Sequence, residues 1–295
     1  MLRRMELFTI ASIFVLITSI ILVVFTMERE HEFIKHNTNI QKASVHGAAY
    51  AISLQLQNKH RHVRLFVDEY ARLFAHLEHF PNDETTSENI NNRLQQRFTD
   101  FFTFTITDQN GLPSIMDIES LVGDACQKDL NNFANNIKRN HGDLFNKVFV
   151  HPQPANYHYD IMAPLQLGVS NPRIFFTSFY LNEIVDILKT HEVPGQTLML
   201  VRQSEPGLIE VTRQGVRDKL TRELNLSQEE RSRITVYEDI PQTDWRLVNL
   251  PDLDYEKEYV FGLWKEVIII LLIVSFALFV LILVLTKSSA SNTVD

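Results

Sequence analysis

A chain of 295 residues is long enough for one large domain or two small ones with a genuine core. Its formal charge of −8 and pI of about 5.8 exclude nucleic acid as a partner, because phosphate binding needs a basic patch. A lone cysteine, Cys126, excludes an internal disulfide, so any fold is held by burial, and the thiol reads as a buried structural one.

Residues 7–25 are uncharged and apolar, about 19 in all, enough to nearly span a hydrocarbon core of about 30 Å. The basic leader Arg3 and Arg4 would suit a signal peptide. The apolar stretch, however, outruns a signal-peptide core, and the exit FTMEREHEF carries no small-x-small cleavage site, so an uncleaved signal anchor is expected.

From residue 28 to 79 there is no proline and one glycine, Gly47, while Val63, Phe66, Val67, Tyr70, Leu73, Phe74 and Leu77 recur at helical spacing. One long helix, unbroken or broken once, is predicted, ended by the turn formers of FPNDETTSEN at 80–89. Ala43, Gly47 and Ala51 form a smooth stripe that suits either packing on a sheet or a homodimer seam.

The period then changes to two. FFTFTITDQNG (101–111) sets Phe102, Phe104 and Ile106 against Thr103, Thr105 and Thr107 and ends in Asn-Gly, predicting a hairpin with LPSIMD (112–117). A helix over 121–137 follows, then strands at 146–152, 157–167 and 172–181, and a helix over 182–190. After a linker at 191–196, TLMLVRQ and GLIEVTR form a second hairpin, VRDKLTREL reads as helical, LSQEE as a capped helix start, and QTDWRLVNLP as a last strand with Trp245 in the core.

Residues 267–285 are a second transmembrane helix, with Trp264 as its interfacial anchor. Arg3, Arg4 and Lys287 put both termini in the cytoplasm by the positive-inside rule. All but three of the Lys and Arg and all but two of the Asp and Glu lie in 26–266, so the outer segment is acidic. The tail 286–295 is too short to fold, and any signal is expected to leave through helix contacts with another protein.

Long helix, hairpin, helix and three antiparallel strands, in that order, resemble the extracytoplasmic PAS-like sensor domains called Cache domains. FTFTITDQNG is similar to their first hairpin, YHYDIMAPL to their central strand, and QTDWRLVNLPD to a closing strand with a Thr-x-Trp element. The resemblance implies an α+β fold, a long N-terminal helix packed on a PAS-like antiparallel sheet with a smaller membrane-proximal unit, between two transmembrane helices. It also implies a bacterial inner-membrane protein with a periplasmic main domain. Such domains usually precede a methyl-accepting, histidine-kinase or cyclic-di-nucleotide module, and none follows here.

The expected division is 1–27 (N-terminus and first membrane helix), 28–79 (long helix), 80–190 (sensor domain), 191–260 (membrane-proximal unit), 261–286 (second membrane helix) and 287–295 (tail).

No nucleophile-elbow, P-loop, metalloprotease or dinucleotide motif is present, so no catalytic residue, cofactor or enzyme activity is expected. Of the eleven histidines, His60 and His62 point about 200° apart on a helix. His76 and His79 share a face but have no convergent third ligand, so no metal site is expected.

The best polar cluster is YHYD: His158 and Asp160 fall on one strand face and Tyr157 and Tyr159 on the other, with Arg173 and Tyr180 as partners on the neighbouring strand. These groups either satisfy one another inside the core or line a pocket for a small-molecule ligand. The expected function is a membrane-anchored sensory module signalling to a separate cytoplasmic or membrane protein, with lipid as its other partner. The alternative is a structural or assembly protein of the envelope, although the proline-rich approach of chain-length regulators is missing from LPDLDYEKEYVFGLWKE.

Overall fold

A computed structural model describes residues 2–107, 112–113, 124–138, 148–151, 157–165 and 173–291. The chain divides into two compact units, Met1–Ile40 with Asp252–Asp295, and Gln41–Pro251.

Helix α1 runs unbroken over Leu2–Glu69, as the proline-free sequence predicts. It breaks at Tyr70 and resumes as α2 (Ala71–His79). Prediction stops the helical region there, but the chain forms another helix, α3 (Glu84–Arg97). Its cap is Asp83, whose carboxylate accepts from the Thr85 and Thr86 amides at 3.1 and 3.3 Å. The turn formers of 80–89 therefore include a helix start. Only Ile90 and Leu94 of α3 are buried, too sparse a stripe to announce it.

The unit 41–251 is α+β, the expected class. Its first sheet contains β1 (Phe101–Ile106), β2 (Phe149–His151), β3 (His158–Leu165) and β4 (Arg173–Tyr180), in the order β1-β4-β3-β2 and wholly antiparallel. Thr107 bridges Pro113, the described start of the predicted hairpin; its Asn-Gly turn and the turn at 168–171 lie outside the described residues. Helix α4 (Asp124–Lys138) lies between β1 and β2 in sequence, and α5 (Asn182–His191) follows β4. Cys126 lies on α4, but its side chain is outside what is described.

The two faces of this sheet bury different things. Tyr157, Tyr159, Ile161, Ala163, Phe175 and Phe179 join Val45, Ile52, Val63 and Phe66 of α1 in the main core. On the other face Met162, Ile174 and Phe176 pack with Leu130, Phe133 and Ala134 of α4.

The second sheet holds β5 (Gln196–Arg202), β6 (Ile209–Thr212), β7 (Gly215–Val216), β8 (Tyr237–Asp239) and β9 (Trp245–Pro251), ordered β7-β6-β5-β9-β8. The predicted helix over VRDKLTREL is instead β7 and a single 3₁₀ turn at Arg217–Lys219: Gly215, with φ of 147°, turns the chain back along β6. The capped start does appear, as α6 (Gln228–Arg233) with a Ser227–Glu230 capping box. Trp245 is 1% exposed, core as expected.

Gly47 of the small-residue stripe packs inside the unit, where an added Cβ would stand 3.1 Å from the His191 ring.

The other unit contains the start of α1 and α7 (Leu253–Ser291). Each contains an 18-residue window apolar enough to cross a membrane, with mean hydropathies of 2.8 and 3.6. Within this unit Phe33 stacks on Tyr259 at 3.7 Å, and the Trp264 indole donates to Glu30 at 3.1 Å.

Candidate functional site

Strand alternation divides YHYD as its period of two demands. His158 and Asp160 lie on the α4 side with Met162, whereas Tyr157 and Tyr159 enter the core under α1. All four are buried, Asp160 completely.

On the α4 side the register sets His158 opposite Tyr180 and Asp160 opposite Ser178, with Thr103 of β1 next in line. The Ser178 hydroxyl donates to Asp160 Oδ1 at 2.6 Å, a short charge-assisted bond, and His158 Nε2 lies 3.5 Å from the same oxygen.

Phe102 joins them unexpectedly. The β1–β4 register slips between Phe101 and Thr103, and the extra residue of this bulge brings the Phe102 ring within 5.4 Å of His158 and 5.0 Å of Tyr180. Phe101 takes its place in the core beside Phe104 and Ile106, so the predicted stripe of Phe102, Phe104 and Ile106 holds only for the last two.

Arg173 is not part of the cluster. It pairs with Leu165 at the opposite end of β4 from Tyr180, and its guanidinium binds Glu78 of α2 at 2.8 Å. Tyr180 is beside His158, as expected, and Ser178 occupies the place next to Asp160 that Arg173 was to fill. The signal for Ser178 was present: the Thr177–Ser178 pair interrupts the aromatic and aliphatic run of residues 174–180.

Behind the strand, the Tyr159 hydroxyl donates to Asp100 Oδ2 at 3.4 Å. Asp100 pairs with Lys59 of α1, whose ammonium also reaches Glu183 of α5 at 2.8 Å and faces the Phe179 ring at 5.1 Å. Burial pushes the Asp100 carboxyl up, opposed by Lys59, and drives the Tyr159 phenol well above its usual value. A ladder of side chains thus links the back of β3 to α1. Sequence reasoning missed it because Lys59 and Asp100 are separated by a helix break and two further helices.

The chain is similar in structure to several solved sensor domains. The ligand-binding domain of the Pseudomonas fluorescens chemoreceptor CtaA, in complex with L-isoleucine, has a TM-score of 0.47 at 12% identity over 78% of this chain and 98% of that one. The ligand-binding domain of the Pseudomonas aeruginosa PAO1 amino acid chemoreceptor PctB, in complex with L-Gln, gives 0.43 at 14% over 72% and 91%. A domain of a sensory box/GGDEF family protein from Vibrio parahaemolyticus gives 0.45 at 8% over 75% and 98%. No protein-family model matches the sequence, and no curated protein matches it.

Proposed function

We propose that the chain is a non-catalytic sensory module of the bacterial inner membrane. Its outer unit binds a small molecule on the α4 side of the first sheet and signals through its apolar helices to a separate protein. The observation that carries the reading is the division of β3, with His158 and Asp160 gathered beside Ser178, Thr103 and the bulge residue Phe102, while the alternate residues build the core. A buried carboxylate, an imidazole, hydroxyls and two aromatic rings on one face suit a ligand with several hydrogen-bond donors and an amine above all. Two apolar helices and basic residues at both ends support a two-pass topology with cytoplasmic termini.

The test is thermal unfolding of the full chain in nanodiscs against a panel of small molecules, opening with the L-amino acids. A ligand at a hundred times its Kd should add about 2.7 kcal/mol. Asp160→Asn and Ser178→Ala should remove that shift while Arg173→Gln keeps it. A panel without any shift, or a shift that survives both site variants, would sink the proposal.

A further inference from the structure

A groove of about 460 Å³ runs along the opposite side of the fold from His158 and Asp160, between α1 and the Ile240–Thr243 turn. We propose that it is a second, separate binding site, for a small dicarboxylate anion. Gln57, His60, Arg61 and Arg64 form its helical wall, spaced so that all four share one face of α1.

Among the described residues Arg61 and Arg64, like Arg72, Arg93, Arg231 and Arg233, hold no carboxylate, and of these six only Arg61 and Arg64 line the groove. Arg97, Arg173, Arg202, Arg213, Arg222 and Arg246 each meet a carboxylate within 2.9 Å. Among the described residues Arg61 engages only the Asn58 amide oxygen, at 3.1 Å, and Arg64 has no ion pair. Asp68, further along, lines the end of the groove and pairs with neither. In an outer segment with an excess of acid, two guanidinium groups without carboxylates and side by side over a groove form a receptor for carboxylates. Each guanidinium can take one carboxylate through a two-pronged hydrogen bond, so a small diacid would engage both, with succinate as the probe.

Two further features point to a ligand. His60 is 5% exposed, and its Nε2 has no hydrogen-bond partner, a cost that a bound carboxylate relieves in the tautomer carrying the proton on Nε2. Burial and the neighbouring Arg64 push its pKa down to about 4, so at neutral pH the ring is uncharged and one nitrogen is a donor. On the facing wall Gln242 adopts φ of 62°, at the turn position that glycine fills most cheaply, and its carbonyl accepts the Val148 amide at 3.1 Å. Glutamine there sets an amide on the rim at the expense of backbone strain. The volume lies within the range of about 300–1,000 Å³ usual for small-ligand sites.

Calorimetric titration of the full chain in nanodiscs with succinate at low ionic strength tests the assignment. Saturable binding with a Kd below about 1 mM is expected, weakened by at least about tenfold in the R61Q/R64Q double variant. Both arginines are exposed, so the variant should unfold at the wild-type temperature; Gln57→Glu, which sets a like charge in the groove, should weaken binding independently. Ser178→Ala should leave succinate binding unchanged, which separates this site from the one on the α4 side. The proposal falls if succinate does not saturate, if neutral succinamide binds equally, if inorganic phosphate binds more tightly, or if R61Q/R64Q binds as the wild type does.

Discussion

One face of the 157–160 stretch buries two tyrosines and the other a histidine and an aspartate, and the two faces use them differently. Under α1, Tyr159 feeds a closed ionic ladder through Asp100 to Lys59 and Glu183, set among aromatic rings. On the α4 side, His158 and Asp160 meet a serine hydroxyl and a bulge phenylalanine, next to an apolar patch held by α4. The Tyr157 hydroxyl under α1 has no hydrogen-bond partner among the described residues, yet only that face matches charge to charge at the junction of three separate elements. Such a junction fixes geometry; under the proposed function, the stripe of polar groups at the edge of an apolar patch is the face assigned to recognition.

The largest expected effect breaks the ionic ladder. Lys59→Ala would leave Asp100 buried beside Glu183 without a cation, at a cost of about 3–5 kcal/mol measured by chemical denaturation. Ser178→Ala, the matching deletion on the other face, should cost only about 1 kcal/mol. Equal costs would erase the distinction between a structural face and a recognition face.

Acid and base separate the regions further. His60, beside the α1 face, is neutral down to about 4 instead of 6.5, so its contribution to stability is intact above 6.5 and is lost as pH falls from there to 4. Glu210 of the second sheet lies between Arg202 at 2.7 Å and Arg217 at 3.6 Å, but burial pushes it from 4.5 up to about 7. The folded state therefore holds that proton more tightly, and stability is lost as pH rises from 4.5 to 7. Each is worth at most about 3 kcal/mol, and they oppose one another between 4.5 and 6.5. Stability of Glu210→Gln should rise with pH across 4 to 6.5, and that of His60→Gln should fall across 4.5 to 7. Parallel curves for both variants and wild type would remove these groups from the account.

The smallest effect lies away from either face. Ser227→Ala removes the cap of α6 and should cost about 1 kcal/mol, with ligand responses untouched.

Strand alternation made His158 and Asp160 legible as a pair, and the apolar recurrences at Val63, Phe66 and Phe74 disclosed the helix that covers the sheet. What stayed hidden has a common cause. The bulge at Phe102 changes the facing of one residue without changing the pattern around it. Ser178 gains its meaning only from a register that sets it opposite Asp160, and the Arg173–Glu78 pair reflects where two strand ends meet a helix. The polar helix α3 depends on a cap inside a run of turn formers. Local periodicity reports which residues turn inward; it does not report which inward residues meet.

Lys59 offers a clock. A lysine that is 5% exposed, with its amine held by two carboxylates and faced by the Phe98 and Phe179 rings, cannot meet an amine-reactive reagent until α1 parts from the sheet. The exposed lysines, such as Lys42 and Lys189, acylate at once and serve as the internal standard. The lag before Lys59 is modified, followed by peptide mass spectrometry, would time the separation of helix from sheet, and any ligand that tightens that contact would lengthen it.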